Sequence, residues 1–318
     1  MATMHVDRIG PGPFPRANLV ALAGRTLGAI PPPAKVLVGI VSVQVGAALA
    51  KQLFGTVGST GTVALRLFFA AAVLLLVWRP TLRMSEPASE SSIPGRVGGH
   101  RRAWLIVVGY GVVLGVMNLC FYLALEKIPL GIVVTIEFLG PLTVALAGSR
   151  RWLDALWALL AAGGVVLITE GRGDLELVGV LFALAAAACW GTYILLSAAL
   201  GRHTSDGTGL ALGMAIAALV AMPVGVVDSG AALLSPWVLL VGLGVALLSS
   251  VIPYSLELEA LRSIPPKVFG VLMSLEPAVA ALVGLVVLGE VLRPLQWVAV
   301  LCVVAASVGA TRMVTREA

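Results

Sequence analysis

Long apolar runs separated by short polar connections dominate this sequence. Ten stretches have the length, about 18–22 residues, that a bilayer requires of an α-helix. They are residues 36–54, 60–78, 103–124, 130–149, 152–169, 176–198, 208–227, 237–256, 267–288 and 294–312. The longest connection, Arg79 to Arg102, carries Pro80, Pro87, Pro94 and a run of serines, the composition of a surface loop. Residues 1–35 form a tail with prolines at 11, 13, 15, 31, 32 and 33. Its apolar patch, Leu19 to Ile30, is broken by Gly24 and Arg25 and is too short to span. It has no convincing leader-cleavage site, so the tail is expected to be disordered rather than a signal peptide.

Composition agrees with this pattern. Of 318 residues, 59% are hydrophobic and 12% charged, with a mean hydropathy of +1.03. One soluble core cannot hide that much apolar surface, so the chain is expected to be an all-α polytopic membrane protein. Its 21 Lys+Arg exceed its 16 Asp+Glu. In a soluble protein that excess would suggest nucleic acid. Here the cations sit between apolar runs and speak to orientation instead. With the N-terminus inside, the inner connections and tails hold Arg8, Arg16, Arg25, Lys35, Arg79, Arg83, Arg96, Arg101, Arg102, Arg150, Arg151, Arg202, Arg262, Lys267, Arg312 and Arg316. The outer connections hold only Lys127, Arg172 and Arg293. The asymmetry places both termini in the cytoplasm and supports an even number of spans.

An internal repeat divides the chain. Ala124-Leu125, Ile128-Pro129, Pro141 and Gly148 return 136 residues later as Ala260-Leu261, Ile264-Pro265, Pro277 and Gly284, and Asp154 is matched by Glu290. The predicted units are residues 36–173 and 174–318, with five spans each. An odd number of spans puts the two copies in opposite orientations. Two inverted five-helix repeats are an architecture of secondary transporters, with the binding site between them near the midplane.

Charge inside the spans is the chemical signal. Glu137 lies mid-membrane in the fourth span, where an unpaired carboxylate costs about 2.5–3.5 kcal/mol on insertion scales. A carboxyl that gains and loses a proton there is the part a proton-coupled carrier needs. The alternative is a structural glutamate fixed to Lys51 or Arg66. Those two cations lie toward the outer ends of the first two spans, where snorkelling to the interface also explains them. Read together, they could hold a substrate carboxylate or neutralise the buried glutamates. Gln44 shares a helical face with Lys51. Asn118 and Tyr122 share a face of the third span, for a substrate or for a neighbouring helix. Trp190, Tyr193 and Ser197 form a stripe on the sixth span, for packing or for a site. Glu276, before Pro277, either joins the site or supports a helix break. Glu257 and Glu259, near the inner end of the eighth span, can reach water or Arg262. Gly111 and Gly115 form a GxxxG face for close helix approach.

Cys120, Cys189 and Cys302 read as small apolar packing residues, and His5, His100 and His203 fall in polar connections, so no metal or other cofactor is expected. There is no HExxH and no GxSxG, which leaves a membrane-embedded enzyme with nothing to work through.

At this point the residues resemble the EamA domains of the drug/metabolite transporter superfamily. The resemblance is carried by Gln44, Ala50-Lys51 and Leu53-Phe54; Ala64-Leu65-Arg66; Met117-Asn118 and Phe121-Tyr122; Pro129-Leu130-Gly131-Ile132; Glu137-Phe138 and Gly140-Pro141; Arg150-Arg151; Cys189-Trp190 and Tyr193-Ile194-Leu195; Pro253-Tyr254-Ser255-Leu256-Glu257; Phe269-Gly270, Leu272-Met273-Ser274 and Glu276-Pro277-Ala278; and Leu288-Gly289-Glu290. It implies ten helices, cytoplasmic termini and efflux of small amino acids such as threonine and homoserine across the inner or plasma membrane, with protons as the coupling ion. A carrier of the same architecture for another metabolite or a cationic drug is the alternative, and a homodimer is compatible with the sequence. A zwitterionic substrate needs an anion near its ammonium and a cation near its carboxylate. Glu137, with Lys51 or Arg66 and with Asn118, Tyr122 or Tyr193, supplies such groups.

The orientation is testable by cysteine labelling in a background lacking Cys120, Cys189 and Cys302. Lys127→Cys should react with a membrane-impermeant maleimide on intact cells, and Arg96→Cys only after permeabilisation. The reverse pattern would overturn the topology.

Overall fold

A computed structural model describes residues 31–78, 98–147, 152–170, 176–200, 207–261, 263–264 and 266–314. Their regular structure is helical: α1 (Pro32–Lys51), α2 (Phe54–Trp78), α3 (Gly98–Lys127), α4 (Leu130–Glu137), α5 (Leu139–Ala147), α6 (Trp152–Glu170), α7 (Leu177–Leu200), α8 (Thr208–Ser229), α9 (Pro236–Ala246), α10 (Ile252–Leu261), α11 (Pro266–Met273), α12 (Glu276–Leu288) and α13 (Pro294–Val314). A 3₁₀ turn (Gly230–Leu234) follows α8, and a π turn (Leu247–Val251) joins α9 to α10. The tail before residue 31 and the proline- and serine-rich connection at 79–97 lie outside the described residues.

Among the described residues, eight stretches are long and apolar enough to cross a membrane: Pro32–Lys51, Phe54–Trp78, Ala103–Lys127, Leu130–Ala147, Leu177–Leu200, Thr208–Leu234, Pro236–Glu257 and Val268–Leu288. Helices α6 and α13 occupy the positions of the two other predicted spans. The first helix begins at Pro32, earlier than the predicted residue 36, so the last residues of the predicted tail are helical. Proline suits a first helical turn: its φ is already near the helical value and its missing N–H would have no partner there. α2 is kinked at Gly58, whose φ of 65° is open to glycine and strained for other residues.

Three predicted spans are interrupted, each beside a proline. Phe138 separates α4 from α5 just before Pro141, and Ser274 and Leu275 separate α11 from α12 just before Pro277. The π turn lies just before Pro253. Proline removes a backbone donor and crowds the preceding turn, so the helix opens there.

The two halves of the chain are interleaved. α2 packs on α8 and α9, α3 on α7 and α8, α1 on α10 and α12, α4 on α12, α5 on α7, and α6 on α13. Small residues allow the closest approaches. A Cβ at Gly111 would stand 2.6 Å from the Ile216 Cβ and 2.7 Å from the Gly213 carbonyl, so the GxxxG face of α3 is pressed against α8. A Cβ at Gly131 would stand 2.6 Å from the Ala281 Cα, which brings α4 against α12.

Gly111→Ala should therefore destabilise the protein in detergent by about 1–3 kcal/mol, the usual range for overpacking. Gly163→Ala, where nothing lies within 4 Å of the added carbon, should be neutral or slightly stabilising. Thermal unfolding of the two variants tests the contrast; equal Tm shifts would contradict this packing.

Candidate functional site

The polar groups of the interior collect where α1, α2 and α3 meet α10, α12 and the π turn. Arg66 is their centre. Pro253, having no N–H, can serve neither the Ser249 carbonyl in α-helical register nor the Leu248 carbonyl in the wider π register. Side chains of the first half take both: Arg66 Nη2 donates to the Ser249 carbonyl at 3.0 Å, and Ser42 Oγ to the Leu248 carbonyl at 2.7 Å. Arg66 Nε donates to Ser250 Oγ at 3.3 Å and Nη1 to the Tyr122 hydroxyl at 3.4 Å. The Arg66 Cζ also lies 5.5 Å from the centre of the Tyr122 ring, within cation–π range. Arg66 is thus buried and held, not snorkelling.

A cluster of carboxyls begins beside this guanidinium at Glu137. Glu137, at the end of α4, is buried and has no hydrogen-bond or ion-pair partner among the described residues; Arg66 is close enough to act on it through space. Glu276, at the start of α12, lies within electrostatic reach of both Glu137 and Glu257. Its Oε1 accepts from Gln44 Nε2 at 3.1 Å. Gln44 Oε1, Glu276 Oε2 and Ser249 Oγ are buried with no partner among the described residues. Three carboxylates in this cluster, with one guanidinium beside Glu137, would leave an excess negative charge in a region of low dielectric, a state that calls for protons or a bound cation.

The aromatic groups complete the site. Tyr254 lies within electrostatic reach of Arg66, Glu137, Glu257 and Tyr193. The Tyr110 and Tyr193 hydroxyls are hydrogen-bonded at 3.2 Å with ring centres 5.0 Å apart. Trp190 packs edge-on against Phe138, at the break between α4 and α5, with ring centres 5.6 Å apart.

Lys51 is elsewhere. Its Nζ pairs with Glu290 Oε1 at 2.5 Å. Gly289, with φ of 68°, closes α12 and turns Glu290 toward α1. Glu290 Oε2 also accepts from the Leu130 N–H at 2.8 Å, at the start of α4. At the other end of α1, Lys35 pairs with Glu259 at 2.6 Å. The two lysines are separated by about 24 Å of helix, and Gln44 lies between them. Asn118 is buried, with Nδ2 donating 2.8 Å to the Leu114 carbonyl of its own helix.

The structure thus brings Gln44, Arg66, Tyr122, Glu137 and Glu276 into one polar region. It places Trp190 and Tyr193 on its aromatic side, and Lys51 in an ion pair at the end of the bundle. Sequence reasoning passed over Ser249 and Ser250, named Tyr254 only in the family resemblance, and gave Glu257 to water or Arg262 rather than to the site. The predicted span ended at residue 256 and left Glu257 at its edge. Pro253 inside an apolar run, preceded by two serines, was the signal.

Comparison with known proteins shows the family. The threonine/homoserine exporter RhtA of Escherichia coli (strain K12) is 43% identical over 285 residues, covering 88% of this chain and 91% of its own length. The protein of the same name from Salmonella typhimurium (strain LT2) is 41% identical over the same coverage. One crystal structure aligns with a TM-score of 0.55 over 89% of this chain and 98% of its own, at 22% identity, a likeness of fold alone. Residues 177–312 match the EamA-like transporter family. With its buried charge gathered where the two halves meet, the chain belongs to the EamA-like transporter family.

Proposed function

We propose that this transporter exports small amino acids such as threonine and homoserine across the cell membrane in exchange for protons, through ten helices arranged as two inverted five-helix repeats. The observation that carries the proposal is buried Arg66 beside Glu137, in a cluster that Glu276 and Glu257 extend, in a protein 43% identical to a threonine/homoserine exporter. The guanidinium suits the substrate carboxylate, since it offers donors in a planar fork. The carboxyls suit the ammonium. The hydroxyls of Tyr122, Tyr193 and Tyr254 suit the side-chain hydroxyl of threonine or homoserine. When the substrate leaves, a proton balances the carboxyl cluster, and Glu137, which has no hydrogen-bond or ion-pair partner among the described residues, is the group we assign to it.

The contact pattern supports the repeat. Number the spans one to ten in chain order, with α4–α5, α9–α10 and α11–α12 as the fourth, eighth and ninth. The second, fourth and fifth pack on the seventh, ninth and tenth, their own counterparts five positions on. The third packs on the sixth as the first packs on the eighth. The third packs on the seventh as the second packs on the eighth, and the fourth on the sixth as the first on the ninth. A twofold relation between the halves generates these pairings, and rocking of one repeat against the other would expose the site alternately to each side.

Export of an organic cation is a second reading. It is favoured by the excess of carboxyls now that Lys51 is committed to Glu290. Arg66 disfavours it, because a cationic substrate leaves that guanidinium without an anion to bind. Counterflow in proteoliposomes with labelled threonine, homoserine and a lipophilic cation separates the two.

Glu137→Gln keeps the shape and removes the titratable group. Amino-acid efflux driven by an imposed pH gradient should fall by about tenfold or more, the usual weight of a positioned proton-transfer group. Full proton-driven efflux in that variant would remove Glu137 from the mechanism.

Pro253→Ala should restore a backbone donor to the π turn and compete with Arg66 for its carbonyl. The expected result is a several-fold rise in the KM for threonine with the Tm held or raised. An unchanged KM would mean that the proline does not set the arginine.

A further inference from the structure

Gln44 and Glu276 are bonded to each other in a way that leaves each of them incomplete. Gln44 is 1% exposed and Glu276 8%. The amide donates one hydrogen to Glu276 Oε1 at 3.1 Å. That leaves the other oxygens, Gln44 Oε1 and Glu276 Oε2, both acceptors and both unpartnered among the described residues. A buried acceptor without a donor costs about 1–3 kcal/mol, more for a charged group. Two of them on directly bonded side chains are rare in a finished interior, where polar groups are paired. Both belong to segments that the fold places deliberately. Gln44 lies in the middle of α1, between the ion pairs of Lys35 and Lys51. Glu276 opens α12 at the break before Pro277.

We infer that the Gln44–Glu276 pair is the subsite for the ammonium group of the substrate. A primary ammonium carries three N–H donors and no acceptor, the complement of two free oxygens. Its positive charge meets Glu276 directly, with Glu137 and Glu257 within electrostatic reach of that carboxyl. Arg66, held by Ser249, Ser250 and Tyr122, then receives the carboxylate end. Glu137, which Arg66 faces through space, is left to carry the proton. The assignment rests on the amino-acid reading above and deepens it: ammonium and proton occupy different carboxyls of one cluster.

The test uses purified full-length protein in proteoliposomes and in detergent, with probes that each lack one end of threonine. Threoninamide keeps the ammonium and loses the carboxylate; 2,3-dihydroxybutyrate keeps the carboxylate and loses the ammonium. Counterflow gives transport, and ligand-induced Tm shift gives binding, since a ligand that binds only the folded state raises its stability. In the wild type, threoninamide should raise the Tm and 2,3-dihydroxybutyrate should compete poorly with threonine. Glu276→Gln should raise the KM for threonine about tenfold or more. It should abolish the threoninamide shift, and leave the weak competition by 2,3-dihydroxybutyrate unchanged. Gln44→Leu, which removes the second acceptor without touching a charge, should act in the same direction and more weakly. Glu276→Asp should restore part of the threoninamide shift.

An equal loss of affinity for all three compounds would mean a structural role, and would overturn the assignment. So would a threoninamide shift that survives in both Glu276→Gln and Gln44→Leu. A response of the wild type to sodium over potassium, lost in Glu276→Gln while the threoninamide shift remains, would give the pair to a metal cation instead. If the wild type exchanges no amino acid yet threoninamide still stabilises it through Glu276, the amino-acid export reading fails and the ammonium subsite stands.

Discussion

The bond between the Arg66 guanidinium and the Ser249 carbonyl joins the two halves of the chain across the site. In the hydrocarbon region no water is available to satisfy a backbone group or to solvate a cation, so each must find a partner within the protein. Here two such needs meet. Pro253 leaves carbonyls of the π turn without their helical donors, and Arg66 brings donors that no carboxyl among the described residues accepts. Each solves the other's problem. The solution also fixes the guanidinium in position, because the rigid turn rather than a mobile side chain supplies the acceptor. Tyr122 and Ser250 then complete the cradle, and the unpaired carboxyls beyond it define where a ligand's charges can go.

The same principle explains why the spans are broken where they are. An unbroken helix keeps its backbone groups to itself and presents only side chains. The interruptions at Phe138, at Leu247–Val251 and at Ser274–Leu275 each lie beside charged or polar residues of the site. Glu137 ends one helical piece and Glu276 begins another. The glycines at 131 and 140 let these pieces come close to their neighbours: Gly131 to Ala281 on α12, and Gly140 to Ala187 and Gly191 on α7. Tight packing thus holds the ends of the broken helices in place around the site.

Much of this was legible in the sequence, for a physical reason. Lipid imposes a harsh filter, so apolar runs mark the spans and any polar residue inside one stands out. Gln44, Arg66, Glu137 and Glu276 were visible on that ground alone, and Pro141 and Pro277 announced two of the breaks. What stayed hidden depended on geometry between distant segments. The Lys51–Glu290 pair exists because Gly289 adopts a left-handed turn that aims a carboxylate back at α1. Glu259 reaches Lys35 in the same long-range way, and Arg262, the partner considered for it from sequence, lies outside the described residues. Glu257 was hidden by its place at the end of an apolar run, where a charged residue costs little. Asn118 shares its helical face with Tyr122, yet its amide nitrogen bonds to its own backbone.

The interleaving of the halves has a consequence for biogenesis. Arg66 and the carbonyl it needs are 183 residues apart in the chain, and Gln44 and Glu276 are 232 apart. At a synthesis rate of about 5–20 residues per second, Arg66 waits roughly 10–40 s in or near the membrane before Ser249 is made. During that interval the first helices carry a cation that lacks the Ser249 carbonyl and an amide that lacks Glu276. The nascent first half is therefore the vulnerable species, and its polar residues need shelter at the insertion machinery or in the headgroup region until the second half arrives.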